Sequence, residues 1–123
     1  MANLAVFASG KGSNFEALAK ALRSTSHKIV CLISDNPQAY ALERAKIFQI
    51  PYYVFPFRSQ LDREESEKKI IKLLSEYQVD LIALAGFMRI LSPTFIDAFP
   101  SRIVNIHPSL LPKYPGTRGI EES

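Results

Sequence analysis

The 123 residues suit one globular domain, and 47% hydrophobic with 22% charged residues is the composition of an ordinary folded protein. A net charge of +3 is too small to indicate nucleic-acid or membrane binding, although it is compatible with an anionic ligand. The single cysteine, Cys31, excludes an internal disulfide and argues against a thiolate zinc site. Because a signal peptide and a membrane-length apolar run are both missing, we expect a soluble, cytoplasmic protein.

Short apolar runs alternate with longer helical patterns in chain order. The first run, NLAVFA, precedes a helix whose apolar residues recur at helical spacing. The run KIVCLIS ends in the turn signal DNP, and SPTFIDAF carries Ser92 as a helix N-cap with Pro93 behind it. The predicted strands are 3–8, 28–34, 51–55, 79–85 and 102–107, and the predicted helices are 14–23, 40–48, 61–77 and 93–99.

This alternation predicts a Rossmann-like, doubly wound α/β fold, with a mostly parallel sheet and helices on both faces. The fourth run, VDLIALA, is apolar almost throughout, as expected of a strand that is buried on both sides. In such sheets, ligands bind outside the carboxyl ends of the strands, where the strand order reverses. We therefore look for chemistry in the loops that follow the strands.

The loop SGKGSN, 9–14, follows the first strand and leads directly into a helix. Gly10 and Gly12 permit a tight turn and a close approach of a ligand to the backbone. Free N–H groups of the first helical turn suit a phosphate, to which Ser13 and Asn14 can also donate. A simple glycine turn with Ser13 as the N-cap explains the same residues, and the loop alone favours neither interpretation.

The loop AGFMRIL, 85–91, follows the fourth strand and is unusually apolar. Packing of Phe87 in the core under the next helix is the simpler interpretation of that residue. The functional alternative is an apolar wall whose free backbone groups grip a flat heterocycle.

The fifth strand ends in Asn105, Ile106 and His107. Because side chains alternate along a strand, Asn105 and His107 should point the same way and Ile106 into the core. An asparagine can donate to a developing oxyanion, and a histidine can move a proton near neutral pH. The structural alternative is an asparagine that satisfies a turn and a histidine that caps the strand. A position beside a phosphate-type loop favours the functional interpretation.

Three motifs carry a family resemblance. FASGKGSN, LAGFMRILSP and NIHPSLLPKYPG, in this order and spacing, resemble the phosphoribosylglycinamide formyltransferases, folate-dependent enzymes of purine biosynthesis. The resemblance covers the whole chain, so 1–123 is interpreted as the N-terminal portion of a single formyltransferase domain. Methionyl-tRNA formyltransferases share HPSLLP but carry an arginine where Pro115 stands.

The resemblance implies a role for each matching residue. Asn105 and His107 would be the catalytic pair, with Asn105 also contacting the folate. The cosubstrate would be 10-formyltetrahydrofolate and the acceptor glycinamide ribonucleotide, without metal, nucleic acid or membrane, and the enzyme could form a homodimer. Gly12, Ser13 and Asn14 would bind the ribonucleotide phosphate, and the folate would be bound by Arg63, Met88, Arg89, Ile90 and Leu91. From the sequence alone, Arg63 is an exposed charge on a helix.

The family continues beyond this chain, and its catalytic aspartate lies in that later part, unmatched by Glu121 or Glu122. We therefore expect a piece of a longer protein. Without that carboxylate, His107 would be protonated less often at neutral pH, and the fifth strand would form an exposed sheet edge. The alternatives are a formyltetrahydrofolate hydrolase, another folate-dependent formyltransferase, or a non-catalytic module that binds a phosphate ligand.

Overall fold

The computed structural model describes residues 2–106 of the chain. Within this part, strands and helices alternate without exception. The strands are β1 (Asn3–Phe7), β2 (Lys28–Ser34), β3 (Tyr52–Val54), β4 (Leu81–Leu84) and β5 (Ile103–Asn105), and the helices are α1 (Ser13–Leu22), α2 (Ala41–Ile47), α3 (Gln60–Glu76) and α4 (Pro93–Ala98).

The five strands form one parallel sheet in the order β3-β2-β1-β4-β5. From the centre of the sheet, β1, β2 and β3 follow one another toward one side, and β4 and β5 follow one another toward the other side. The reversal lies between β1 and β4, where Phe7 pairs with Leu84. The loops 8–12 and 85–92 leave the sheet side by side at this point, which is where a doubly wound sheet binds its ligand.

Alternating side chains of the sheet divide the core into two layers. Ala5 and Phe7 pack with residues of α3 and α4, whereas Val6 and Ala8 pack with residues of α1 and α2. Helices thus cover both faces of the sheet, which confirms the predicted fold class. The central strand β1 is buried from its second residue onward because it has a strand on each side and a helical layer on each face.

Every predicted element is present: β2 has the predicted bounds, α1 and α3 begin and end one residue earlier than predicted, and the other elements are one to three residues shorter within the described residues. The sequence of α3 predicts one apolar stripe, and this prediction is wrong at its first member, Leu61; the stripe consists of Leu61, Ile70, Ile71, Leu74 and Tyr77. Leu61 is 69% exposed, while Ile70 and Leu74 are buried. Nine residues separate Leu61 from Ile70, which is half a turn out of phase at 100° per residue. Arg63 lies on the buried side instead.

None of the helices within residues 2–106 is both long enough and apolar enough to cross a membrane.

Candidate functional site

The loop after β1 is held by contacts with α2. Gly12 adopts φ 81°, and a Cβ atom there would approach the Cα and Cβ atoms of Ala41 to 2.7 Å. The Ala41 N–H donates to the Gly10 carbonyl oxygen at 3.0 Å. The sequence therefore needs glycine at position 12 for a left-handed backbone and for a close approach to α2.

Arg44 of α2 ties the same loop to the first turn of α1. Its Nε–H donates to the Lys11 carbonyl oxygen at 2.7 Å, and its Nη1 atom pairs with the carboxylate of Glu16. Lys20 also pairs with Glu16, at 3.0 Å. Hydrogen bonds from Lys20 and Arg44 lower the pKa of the Glu16 carboxyl. Two cations thus neutralise an acidic side chain in the helical turn that would face an anion.

The first turn of α1 offers backbone donors. Its N-cap is Gly12, and no hydrogen bond from a side chain of residues 2–106 caps it. The proposal that Ser13 is the N-cap is therefore wrong, since Ser13 is the first residue of the helix itself. The N–H groups at the start of a helix lack intrahelical partners and carry the positive end of the dipole. With the exposed Gly10 and Lys11 before them, they form a site suited to a phosphate.

The loop after β4 is divided between core and surface. Phe87 packs edge-to-face against Phe7, with ring centroids 5.2 Å apart, so its interpretation as a core residue is confirmed. Leu91 is also buried, at 7% exposure. Met88 and Ile90 are each 78% exposed. The exposed pair forms an apolar surface, whereas Leu91 faces the core, so any contact of Leu91 with a ligand would be through its backbone.

Arg63 lies beside the end of this loop. A cavity of about 330 Å³ lies against α3 and the start of α4, and both Arg63 and Ser92 line it. The Arg63 Nε atom is buried and has no hydrogen-bond partner among the described residues. Glu67, 5% exposed, accepts a hydrogen bond from the Ser92 backbone N–H at 2.9 Å and another from the Ser92 hydroxyl. The sequence interpretation of Arg63 as a freely exposed charge is therefore wrong.

Asn105 ends β5 beside Leu84, at the carboxyl ends of the strands, where both loops also begin. It is exposed, while Ile106 is buried at 4% exposure. The predicted direction of Ile106 is confirmed. His107 lies outside the described residues, so its direction stays a prediction. Among residues 2–106, no group of three His, Cys, Asp or Glu side chains is placed to hold a metal ion.

A network that the sequence does not indicate joins three loops at the carboxyl ends of the strands. The Ser9 hydroxyl donates to Asp35 Oδ1 at 2.5 Å and accepts from the Met88 backbone N–H at 2.8 Å. Arg89 Nε–H donates to Asp35 Oδ2 at 2.6 Å. The Asn36 amide donates to the Ser9 carbonyl oxygen at 3.3 Å. The turn signal DNP was the available clue, but it indicates only a turn, because side-chain partners 26 and 54 residues away have no local signal.

The fold defines a Rossmann-like α/β protein, and its two adjacent loops form a candidate ligand site at the point where the strand order reverses. Residues 2–123 match the model of the formyl transferase family. The chain belongs to this family.

Named relatives are similar along nearly the whole chain. The chain is 42% identical to the phosphoribosylglycinamide formyltransferase of Bacillus subtilis, over all of this chain and 64% of that protein. It is 44% identical to the trifunctional purine biosynthetic protein adenosine-3 of Drosophila melanogaster, over 92% of this chain and 9% of that one. The solved phosphoribosylglycinamide formyltransferase of Brucella melitensis superposes with a TM-score of 0.79 at 40% identity, over 96% of this chain and 62% of that one. The chain thus spans less than two thirds of the length of these relatives.

Proposed function

We propose that the protein to which this chain belongs transfers the formyl group of 10-formyltetrahydrofolate to the amine of glycinamide ribonucleotide, a step of purine biosynthesis. In this proposal 1–123 is the N-terminal portion of one formyltransferase domain. The names of the similar proteins support this activity.

The observation that carries the proposal is the direct contact between the two loops at the strand-order reversal. Ser9, at the start of the glycine loop, donates its backbone N–H to the Gly86 carbonyl oxygen at 3.2 Å. A phosphate held at the first turn of α1 and a flat heterocycle held against the exposed side chains of the second loop would therefore share one cleft. Binding both substrates in one cleft supplies rate by orienting the reacting atoms.

The binding residues that the family resemblance implies are compatible with this placement. Gly12, Ser13 and Asn14 bind the phosphate through backbone N–H groups and side-chain donors. Arg63 and the loop residues Met88, Arg89, Ile90 and Leu91 bind the folate. In this assignment Leu91 and Arg89 act through their backbones, because the Leu91 side chain faces the core and the Arg89 guanidinium is paired with Asp35.

Asn105 and His107 are the proposed catalytic pair. The substrate amine attacks the formyl carbon, and negative charge develops on the formyl oxygen, to which the Asn105 carboxamide and a protonated His107 donate. The carbon–N10 bond then breaks and its electron pair stays on N10. The proton lost by the attacking amine reaches N10 through His107. The exposed position of Asn105 at the sheet edge supports its part in this scheme.

The proposed partners are therefore two small molecules, and the proposed location is the cytoplasm.

A formyl-transfer assay with 10-formyltetrahydrofolate and glycinamide ribonucleotide tests the proposal. Appearance of formylglycinamide ribonucleotide supports it. Formate release that does not need the ribonucleotide would favour a hydrolase. Binding of the ribonucleotide without turnover would favour a module that only holds a phosphate ligand.

The Asn105→Ala variant tests the catalytic assignment. Loss of an oxyanion donor should reduce kcat about 10²- to 10³-fold. Gln38→Ala is the matched control, because it removes a second exposed carboxamide outside the proposed site. Equal activity of the two variants would remove Asn105 from the mechanism.

A further inference from the structure

One chain of hydrogen bonds joins the loops that follow β1, β2 and β4. It runs from the Met88 N–H to the Ser9 hydroxyl and from that hydroxyl to the Asp35 carboxylate, whose other oxygen accepts from Arg89. We call these four groups the three-loop clamp. The Asp35 side chain is only 4% exposed, and Ser9 is 8% exposed. The Ser9 hydroxyl and the Asp35 carboxylate are therefore shielded from water, whereas the Arg89 side chain is 43% exposed.

The chemistry of the four groups fixes which of them donates and which accepts in each hydrogen bond. A serine hydroxyl has one proton, and here that proton goes to Asp35, so the Met88 N–H meets an oxygen lone pair. An ionised carboxylate only accepts, and both of its oxygens are used by donors from different loops. Bonds to charged groups are the stronger ones, and a low local dielectric strengthens them further. Two successive residues, Met88 and Arg89, are consequently held in place.

We propose that Asp35 is a positioning residue that sets the backbone of the 86–91 loop for the cosubstrate. Its carboxylate binds Arg89 directly and Met88 through Ser9, and Ser9 begins the glycine loop, so the two halves of the site keep a fixed relation. Asp35 itself need not touch either substrate. This inference rests on the proposed function for the identity of the ligand, although the clamp can be tested without it.

The Asp35→Asn variant keeps the size of the side chain and removes the charge that Arg89 contacts. The KM for 10-formyltetrahydrofolate should rise about tenfold, the equivalent of about 1.4 kcal/mol, while the KM for glycinamide ribonucleotide changes less than about twofold. A merely structural role would lower the melting temperature and the active fraction but leave both KM values unchanged, and that result would overturn the proposal.

Ser9→Ala breaks the same chain at another point. The Ser9→Ala/Asp35→Asn double variant should therefore be less damaged than the product of the two single effects, since both changes weaken the hold on Met88 through the same hydroxyl, while Arg89 depends on Asp35 alone. If the fold-changes in KM of the two single variants multiply in the double variant, the two residues act separately, and this result would contradict the clamp.

Amide hydrogen exchange at Met88 tests the clamp independently of catalysis. Exchange at this amide should become about fivefold faster or more in both single variants, because its acceptor is lost or loosened. Asp80→Asn is the matched control, because Asp80 accepts from the Asn3 backbone N–H at 2.8 Å at the amino ends of the strands, away from the clamp. If wild-type protein transfers no formyl group, the proposed function fails, and faster exchange still supports the clamp. Unchanged exchange at Met88 overturns it.

Discussion

Gly12 shows at the scale of one residue how the site depends on backbone conformation. Gly12 and Gly86 both have positive φ, at 81° and 79°, whereas Gly10 does not. Of the three glycines within residues 2–106, only Gly12 combines this conformation with a neighbour inside contact distance, because nothing lies within 4 Å of a Cβ built at Gly10 or Gly86. The three glycines therefore form a graded series.

Alanine substitution at these glycines should separate conformational strain from steric clash. We expect Gly12→Ala to lower the free energy of unfolding by about 2–4 kcal/mol, the sum of a left-handed backbone and overpacking against Ala41. Gly86→Ala should cost about 1 kcal/mol through strain alone, and Gly10→Ala less than about 0.5 kcal/mol. Urea unfolding measures all three. A Gly12→Ala protein as stable as Gly10→Ala would contradict the role of the Ala41 contact.

Single residues also show where prediction from the sequence stops. The glycine loop could be placed because turn chemistry is local, and Phe87 because a large aromatic side chain in a short loop must be buried. Asp35 and Glu67 could not be assigned, since their partners lie on other elements and their neighbours in sequence give no sign of them. The fold decides which distant polar groups meet, so the donors to the Asp35 and Glu67 carboxylates are known only from the structure.

At the scale of helices and strands, prediction succeeded wherever local signals agreed. Ser92 caps α4 by accepting from the Phe95 N–H, as SPTF predicts. Residues 28–34 form a strand with the bounds predicted. The orientation of α3 was the harder problem, because its first two turns place Arg63, Ser66 and Glu67 on the inner side. Because polar residues occupy the buried side of these turns, the spacing of apolar residues does not indicate which side of α3 faces the core.

The two serine N-caps should differ in their contribution to stability. Ser92→Ala removes a cap and one of the two donors to the buried Glu67 carboxylate, so we expect a loss of about 2–3 kcal/mol. Ser59→Ala is the matched control, because Ser59 caps α3 through the Asp62 N–H at 3.1 Å in an exposed setting. Its loss should be about 1 kcal/mol. Equal losses in thermal or urea unfolding would show that Glu67 does not depend on the Ser92 hydroxyl.

Contacts between α2 and α1 should control affinity for the phosphate. The ammonium group of a lysine cannot reproduce the two-sided bonding of a guanidinium, so Arg44→Lys should loosen the Lys11 carbonyl or release Glu16. We expect the KM for glycinamide ribonucleotide to rise about three- to tenfold.

Lys46→Ala on the same helix is the control for Arg44, since Lys46 contacts the exposed Glu43 carboxylate and the Tyr52 ring and touches neither the glycine loop nor Glu16. Adding Glu16→Gln to Arg44→Lys should restore part of the affinity, because the released carboxylate then no longer repels the phosphate. No recovery would assign the whole effect to the loop carbonyl.

For the molecule as a whole, stability depends on a sheet that is enclosed on both faces. Cys31 lies in this enclosed region, opposite Ala5 in the register of β1 and β2, and has no exposed surface. Burial disfavours the thiolate and raises the pKa of the Cys31 thiol to about 12, against 9.0 for a free thiol. The native state therefore keeps this proton at a pH where the unfolded chain has lost it.

The free energy of unfolding should accordingly fall as the pH rises above about 9. The unfolded state binds fewer protons there, so stability is complete below pH 9 and decreases toward pH 12, by at most about 1.4 kcal/mol per pH unit from this thiol. Urea unfolding at pH 8, 9 and 10 measures the slope. Cys31→Ala should flatten it, whereas Tyr77→Phe should matter only above pH 10, because the pKa of Tyr77 is raised from 10.0 to about 12, chiefly by its hydrogen bond with Tyr53. An equal slope in Cys31→Ala would mean that the thiol ionises as readily inside the sheet as in water, which an enclosed core does not allow.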